Sequence, residues 1–254
     1  MVSWPLVQYV LTAAFRDRLI AALVIAILVG ASLSLFIGSA AVTEKDQFAL
    51  VFAGGALRVA GVLGLALFAS FHIRRSFEAR EVEFLLSRPI GRAQFLFSHA
   101  LAFAALGFFL ALAQGLALYI VAPKLFGSGS VLWIASVVAE NIIMVSVALF
   151  FSMILSSAAA AVMASAALYI LSRMMGEILG IIDSGGKLYD LSVLEWIMQG
   201  ISAVMPRLDL FGQTSWLVYG PGTEIGYGFI ALQGLVFTAL ILMATFFDLS
   251  RRQF

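Results

Sequence analysis

VLWIASVVAENIIMVSVALFFSMILSSAAAAVMASAALYIL, residues 131–171, decides the fold. These 41 residues contain one charged side chain, Glu140, and no proline. As one helix they would extend about 62 Å, twice a hydrocarbon core of ~30 Å. The tract therefore reads as two membrane spans. The only adjacent polar pair near its middle is Ser156-Ser157, which places the spans at Val131–Leu155 and Ala158–Met175. Four further stretches are long and apolar enough to cross a bilayer: Leu19–Gly38, Phe48–Ile73, Phe95–Ala122 and Tyr227–Phe247.

Composition agrees. Of 254 residues, 63% belong to the set AVILMFWYC and 11% are charged, against roughly 45–50% apolar and about 25% charged in soluble domains. The sequence thus specifies an all-α polytopic membrane protein with six transmembrane helices, forming a single transmembrane domain over residues 1–254. Within it, 1–18 reads as an interfacial helix and 19–175 as spans one to five. An outer loop with its own helix follows at 176–226, then span six and a cytoplasmic tail at 227–254. The net charge of +1 argues against a nucleic-acid binder, which needs a basic face. Cys is 0, so disulfides and thiolate metal sites are excluded, and His72 and His99 alone make no multi-histidine site. The start, Met1-Val2-Ser3-Trp4-Pro5, lacks the early Lys or Arg of a cleaved signal peptide.

Six spans put both ends on one side, and the cation bias of the loops sets which. With both ends inside, the inner side holds nine cations: Arg16, Arg18, Arg74, Arg75, Arg80, Arg88, Arg92, Arg251 and Arg252. The outer side holds five, Lys45, Lys124, Arg173, Lys187 and Arg207. The expected location is the plasma membrane of a bacterium, with both termini cytoplasmic.

Three segments outside the spans have character. In Ser3–Phe15, Gln8 and Thr12 lead to Arg16 at intervals of four, one polar stripe on an apolar helix. Such a helix lies in the membrane interface; the alternative is that span one starts early. Residues 74–92 are the most charged stretch. Ser76–Leu86 reads as a helix stopped by Pro89 and Gly91, with Arg74/Glu78 and Arg80/Glu83 at helical neighbour spacings. Glu78, Glu81 and Glu83 charge it, while Val82, Leu85 and Leu86 form an apolar edge. It is either a docking helix for a cytoplasmic partner or a solvated loop. The third is Leu191–Val204, where Ser192, Glu195, Gln199 and Ser202 stripe an apolar helix ended by Pro206.

Rows of small residues mark helix-packing faces. Span one carries Ala22, Ala26, Gly30, Ser34 and Gly38; span five carries Ser157, Ala161 and Ser165. Two ionisable residues lie well inside spans, Arg58 and Glu140, the latter followed by Asn141. Intramembrane charge is costly and points to function. The three line a candidate polar path, or Arg58 and Glu140 form a structural ion pair. His72 and His99 fall near the inner ends of their spans.

Hydrolytic signatures are missing from the sequence. Gly180–Leu188 misses the phosphate-loop spacing by one and ends on Leu188 where a hydroxyl is needed. No HExxH occurs. Gly127-Ser-Gly-Ser130 is a short outer turn, not a nucleophile elbow. The chain is not expected to be an enzyme.

Glu83-Phe-Leu-Leu-Ser-Arg-Pro-Ile-Gly-Arg92, just ahead of Phe95, resembles a segment of the type-two ABC exporter permeases, the family that includes the nitrous-oxide reductase maturation permease. In that family an acidic, leucine-rich helix runs into a Ser-Arg-Pro-x-x-Arg turn. Met205-Pro-Arg-Leu-Asp-Leu-Phe211 is similar to a second family stretch, and the closing Arg251-Arg-Gln-Phe254 resembles the family's arginine-bearing end. The resemblance implies a permease subunit that pairs with a second copy and docks a separate cytoplasmic ABC ATPase. Residues 74–92 would then carry the coupling helix, with Glu78, Glu81, Val82, Glu83, Leu85, Leu86, Arg88 and Arg92 as its contacts. ATP and magnesium would bind the partner and no cofactor this chain. The work done would be export or flipping of a substrate. A stand-alone carrier or channel, and an ATPase-linked anchor that moves no solute, are the rival readings.

Overall fold

The computed structural model describes residues 2–79, 91–185, 196, 200–201, 205–222 and 225–251. The expected outer helix, Leu191–Val204, lies outside the described residues but for 196, 200 and 201. Among the described residues the fold is all-helical, with six helices long and apolar enough to span a membrane.

A short helix comes first: α1, Trp4–Arg16. Leu6, Val7, Val10 and Ala14 form its buried face, and Gln8, Thr12 and Arg16 lie exposed on the other, so the polar stripe is real. The Ser3 N–H donates to Ser98 Oγ at 2.8 Å and ties the start of α1 to the third span. The chain breaks at Asp17, whose backbone is extended. Its carboxylate accepts from the Leu19 N–H at 2.8 Å, capping the next helix. An ion pair with Arg75 at 3.3 Å holds this elbow to the end of the second span.

The spans are α2 (Arg18–Ala40), α3 (Lys45–Glu78), α4 (Arg92–Val121), α5 (Ser128–Ile154), α6 (Ala158–Gly185) and, after a short α7 (Ser215–Tyr219), α8 (Tyr227–Arg251). The long apolar tract breaks at Leu155–Ser157, as the serine pair predicts. Helix α5 is the central post: 67% of its spanning window is buried, against 11% for α8. Helices α3, α4, α6 and α8 pack around it, α2 lies on α3 and α4, and α1 lies on α4.

Burial of apolar surface drives little association in lipid, so close packing decides which helices meet. Gly38 of α2 sits against α3, where an added Cβ would come within 2.7 Å of Ala49 Cβ and 3.1 Å of the Lys45 carbonyl. Gly30 faces Leu57 and Ser34 is buried, but Ala22 and Ala26 are exposed. The N-terminal half of the small-residue row is therefore not the contact face; Leu23 and Ile27 are buried there instead. In α6, Ala161 and Ser165 are buried and Ser157 is exposed.

Two differences from the sequence reading matter. Residues 74–78 are the last turn of α3, because nothing between Ile73 and Glu78 breaks a helix. Residues 80–90, with Glu81, Val82, Glu83, Leu85, Leu86 and Arg88, lie outside the described residues; Arg92 opens α4 behind Gly91. Helix α6 runs ten residues past Met175, so Arg173 is a span residue and not an outer-loop cation.

Candidate functional site

Arg58, Glu140 and Arg173 meet inside the bundle. Arg58 lies about 20 Å along α3 from Lys45 and Glu140 about 18 Å along α5 from Ser128. Arg173 lies about 22 Å along α6 from its opposite end at Ala158. All three positions thus fall within a core of ~30 Å, and their side chains reach one another inside the bundle. Glu140 is fully buried and Arg58 nearly so. Arg58 Nε stands 4.0 Å from Glu140 Oε2, and Glu140 is within electrostatic reach of Arg173 as well.

A non-helical turn fills the space between them. Leu208–Leu210 makes a single 3-10 turn, and Leu208, Phe211 and Gly212 are buried. Non-helical backbone at membrane depth survives only where protein satisfies its polar groups. Here side chains do so. Arg58 Nη1 donates to the carbonyls of Gly212 and, at 3.4 Å, Phe211. Arg173 Nη1 donates to the carbonyls of Leu208 and, at 2.6 Å, Phe211. The Gly212 N–H donates to Ser136 Oγ at 2.6 Å. Gly212 has φ +53°, and a Cβ there would lie 2.8 Å from Arg58 Cδ and Nη1, so glycine is required twice over. The Leu208–Gly212 backbone is thus seated on the two intramembrane arginines.

Around this core the polar groups sort into two sets. Arg207 forks with Asp209 at 2.7 and 2.9 Å, which keeps its guanidinium charged beyond the ordinary range and leaves that pair neutral overall. The Tyr169 hydroxyl approaches Glu140 but not in hydrogen-bonding geometry. Arg58 Nε, both Glu140 carboxylate oxygens and the Tyr169 hydroxyl have no hydrogen-bond partner among the described residues.

Of the sequence-predicted residues, Arg58 and Glu140 come together and Asn141 does not join them. One residue along a helix turns the side chain by about 100°, and Asn141 Nδ2 instead donates to the Gly107 carbonyl of α4 at 3.0 Å. Gln114 works alike, donating to the Leu57 carbonyl at 2.7 Å. Both fasten helices rather than line a path with Arg58. Sequence reasoning missed Arg173, Ser136 and the turn. A legible signal was present: Leu208, Leu210 and Phe211 are too few for a span and too apolar for a water-exposed loop.

At one end of the bundle a second group of arginines gathers. Arg74 Nη2 donates to the Ser156 carbonyl at 2.5 Å, and Arg92 Nη1 donates to the Ser250 carbonyl at 2.6 Å. With Arg75 on Asp17, these bonds bring the ends of α3, α4 and α8, the α1–α2 elbow and the α5–α6 turn to one rim. His99 lies inward of that rim, its Nδ1 2.9 Å from the Phe95 carbonyl and its ring 4.2 Å from that of Phe95. His72 joins the same aromatic cluster.

Among the described residues no group of three His, Cys, Asp or Glu side chains is placed to hold a metal. A groove of about 740 Å³ between α5 and α8 is almost wholly apolar. The fold and the buried cluster define a polytopic helical membrane protein with a charged centre. No protein-family model matches the chain, and no curated protein matches it either.

Proposed function

We propose that this chain is the permease subunit of an ATP-driven transporter of the type-two ABC exporter kind. It pairs with a second copy and couples ATP hydrolysis on a separate cytoplasmic subunit to export or flipping of a substrate. ATP and magnesium belong to that subunit. The observation that carries the reading is the charged connection between Glu78 and Arg92, with its Ser-Arg-Pro turn. Its two ends sit on the rim that also holds Arg74, Arg75 and the α1–α2 elbow. A soluble motor pushing there acts on the ends of α3 and α4 directly.

The membrane is a bacterial plasma membrane with both termini inside. With Arg173 in the bundle, the outer cations reduce to Lys45, Lys124, Lys187 and Arg207, against nine inside, which supports that orientation. The test is co-purification with a candidate ABC ATPase and assay of its hydrolysis in proteoliposomes. Glu81→Arg, Glu83→Arg, Leu85→Asp and Arg88→Ala should leave the chain folded yet weaken binding or uncouple hydrolysis. If all four bind and stimulate like the parent, the assignment loses its main support.

One observation favours a second reading, a stand-alone carrier. Broken backbone and charged side chains near mid-membrane are how such proteins build substrate sites, and the Leu208–Gly212 turn on Arg58 and Arg173 has that character. Substrate movement by the chain alone in liposomes, without ATP, decides for it.

A further inference from the structure

Arg58 and Arg173 bring two guanidiniums to the Phe211 carbonyl, with one buried carboxylate, that of Glu140, 4.0 Å from Arg58 Nε. Arg207 does not alter the balance, because Asp209 takes its charge. The centre of the bundle therefore holds an excess of one positive charge, in surroundings where unpaired charge is costly. What meets that charge is the turn, through the carbonyls of Leu208, Phe211 and Gly212. Carbonyl dipoles can replace a cation's water shell, but they do not neutralise it.

The geometry is more specific than solvation requires. Arg58 Nη1 and Arg173 Nη1 reach the same oxygen, the Phe211 carbonyl, at 3.4 and 2.6 Å. Guanidiniums converging on one oxygen suit a carboxylate or phosphate group better than a neutral carbonyl. Two further buried donors, Arg58 Nε and the Tyr169 hydroxyl, stand near the Glu140 carboxylate, and neither makes a hydrogen bond among the described residues. A third buried contact, Gly212 N–H on Ser136, holds the turn without involving charge.

We infer that Arg58 and Arg173 form a binding site for an anionic group, a carboxylate or phosphate, and that the Leu208–Gly212 turn occupies it as a competitor. An anion entering between the guanidiniums takes their hydrogen bonds and supplies the missing charge. The carbonyls of the turn then leave their seat. The inference rests on the buried cluster alone and stands or falls separately from the ATPase-coupled reading.

The chain has no cysteine, so Gln213→Cys places a single thiol beside Gly212 at a half-buried position. The purified protein is put in nanodiscs of phosphatidylcholine and inorganic phosphate is titrated at constant ionic strength. The rate of maleimide labelling should rise severalfold and saturate. A second arm replaces phosphate with phosphatidylglycerol in the disc. A response to phosphate identifies a soluble anion, and a response to phosphatidylglycerol alone identifies a lipid headgroup. Silence in both arms overturns the inference.

Arg58→Gln and Arg173→Gln should abolish the response. Because either change also loosens the turn, Ser136→Ala provides the comparison. It frees the turn and raises basal labelling, yet leaves both cations, so the anion that acted on the parent should still raise its unfolding temperature. An undiminished anion response in the Arg58→Gln/Arg173→Gln double variant would also overturn the site.

Discussion

Arg58 and Arg173 donate to the same oxygen, the carbonyl of Phe211, from two different spans. Helices α3 and α6 are thereby joined through the backbone of a segment that belongs to neither. The carboxylate of Glu140 stands beside Arg58 at 4.0 Å, the outer limit of an ion pair. Position on the turn and charge on the carboxylate are therefore separable roles for Arg58, and substitutions can separate them.

Glu140→Gln and Arg58→Gln should each destabilise the protein, by about 3–5 kcal/mol where a buried charge is stranded. If the ion pair dominates, the double variant should cost less than the sum, with a coupling of about 0.5–3 kcal/mol. Reversible unfolding in mixed micelles gives all four corners of the cycle. Strict additivity would mean that the bonds from Arg58 to the turn carry its cost and the ion pair adds nothing.

Gly212→Ala should be harmful out of proportion to one methyl group. The left-handed backbone costs about 1–2 kcal/mol for an L residue, and the new Cβ would displace Arg58, whose Cδ and Nη1 lie 2.8 Å from its position. By contrast, Gly180→Ala adds a Cβ with no neighbour within 4 Å and should be close to neutral or mildly stabilising. Comparison of unfolding temperatures checks both; equal effects would show that the turn does not depend on a glycine there.

The spans were legible because membrane thickness fixes helix length, and Ser156-Ser157 supplied the break. Arg58 and Glu140 were legible because charge inside an apolar run stands out. Arg173 was not: it lies near the end of the apolar run, and the amphipathic residues after Met175 looked like loop although α6 continues through them. Asn141 shows a further limit. Adjacent polar residues suggest one site, but a helix points them to different neighbours, here α4 for Asn141 and α3 for Glu140. The small residues of α2 follow the same logic, since spacing gives a stripe and only the neighbouring helix says whether Ala22 or Leu23 faces it.

Asp17 caps α2 and pairs with Arg75, and the two contributions differ in size. The cap is worth about 1 kcal/mol. The pair involves a guanidinium that is 65% exposed, and such surface pairs contribute roughly 0–1 kcal/mol. Asp17→Ala should therefore lower stability by about 1 kcal/mol, while Asp17→Asn, which keeps a capping oxygen and loses the charge, should sit near the parent. If Asp17→Asn is as damaging as Asp17→Ala, the ion pair with Arg75 is what holds the α1–α2 elbow.

Orientation is testable with single thiols in this cysteine-free chain. Lys45 opens α3 and Lys124 lies in the turn between α4 and α5. Arg75 and Arg251 lie at the other ends of α3 and α8, on or beside the arginine rim. The proposed orientation, argued from the loop-charge bias, has that rim inside. Lys45→Cys and Lys124→Cys should react with a membrane-impermeant maleimide in intact cells. Arg251→Cys should react only after the membrane is opened. Each of these positions is outside the buried cluster, so loss of labelling cannot be blamed on a collapsed core. Labelling of Arg251→Cys from outside, with Lys45→Cys silent, would invert the topology. The connection between Glu78 and Arg92 would then face away from any cytoplasmic ATPase, and the coupling proposal would fail with it.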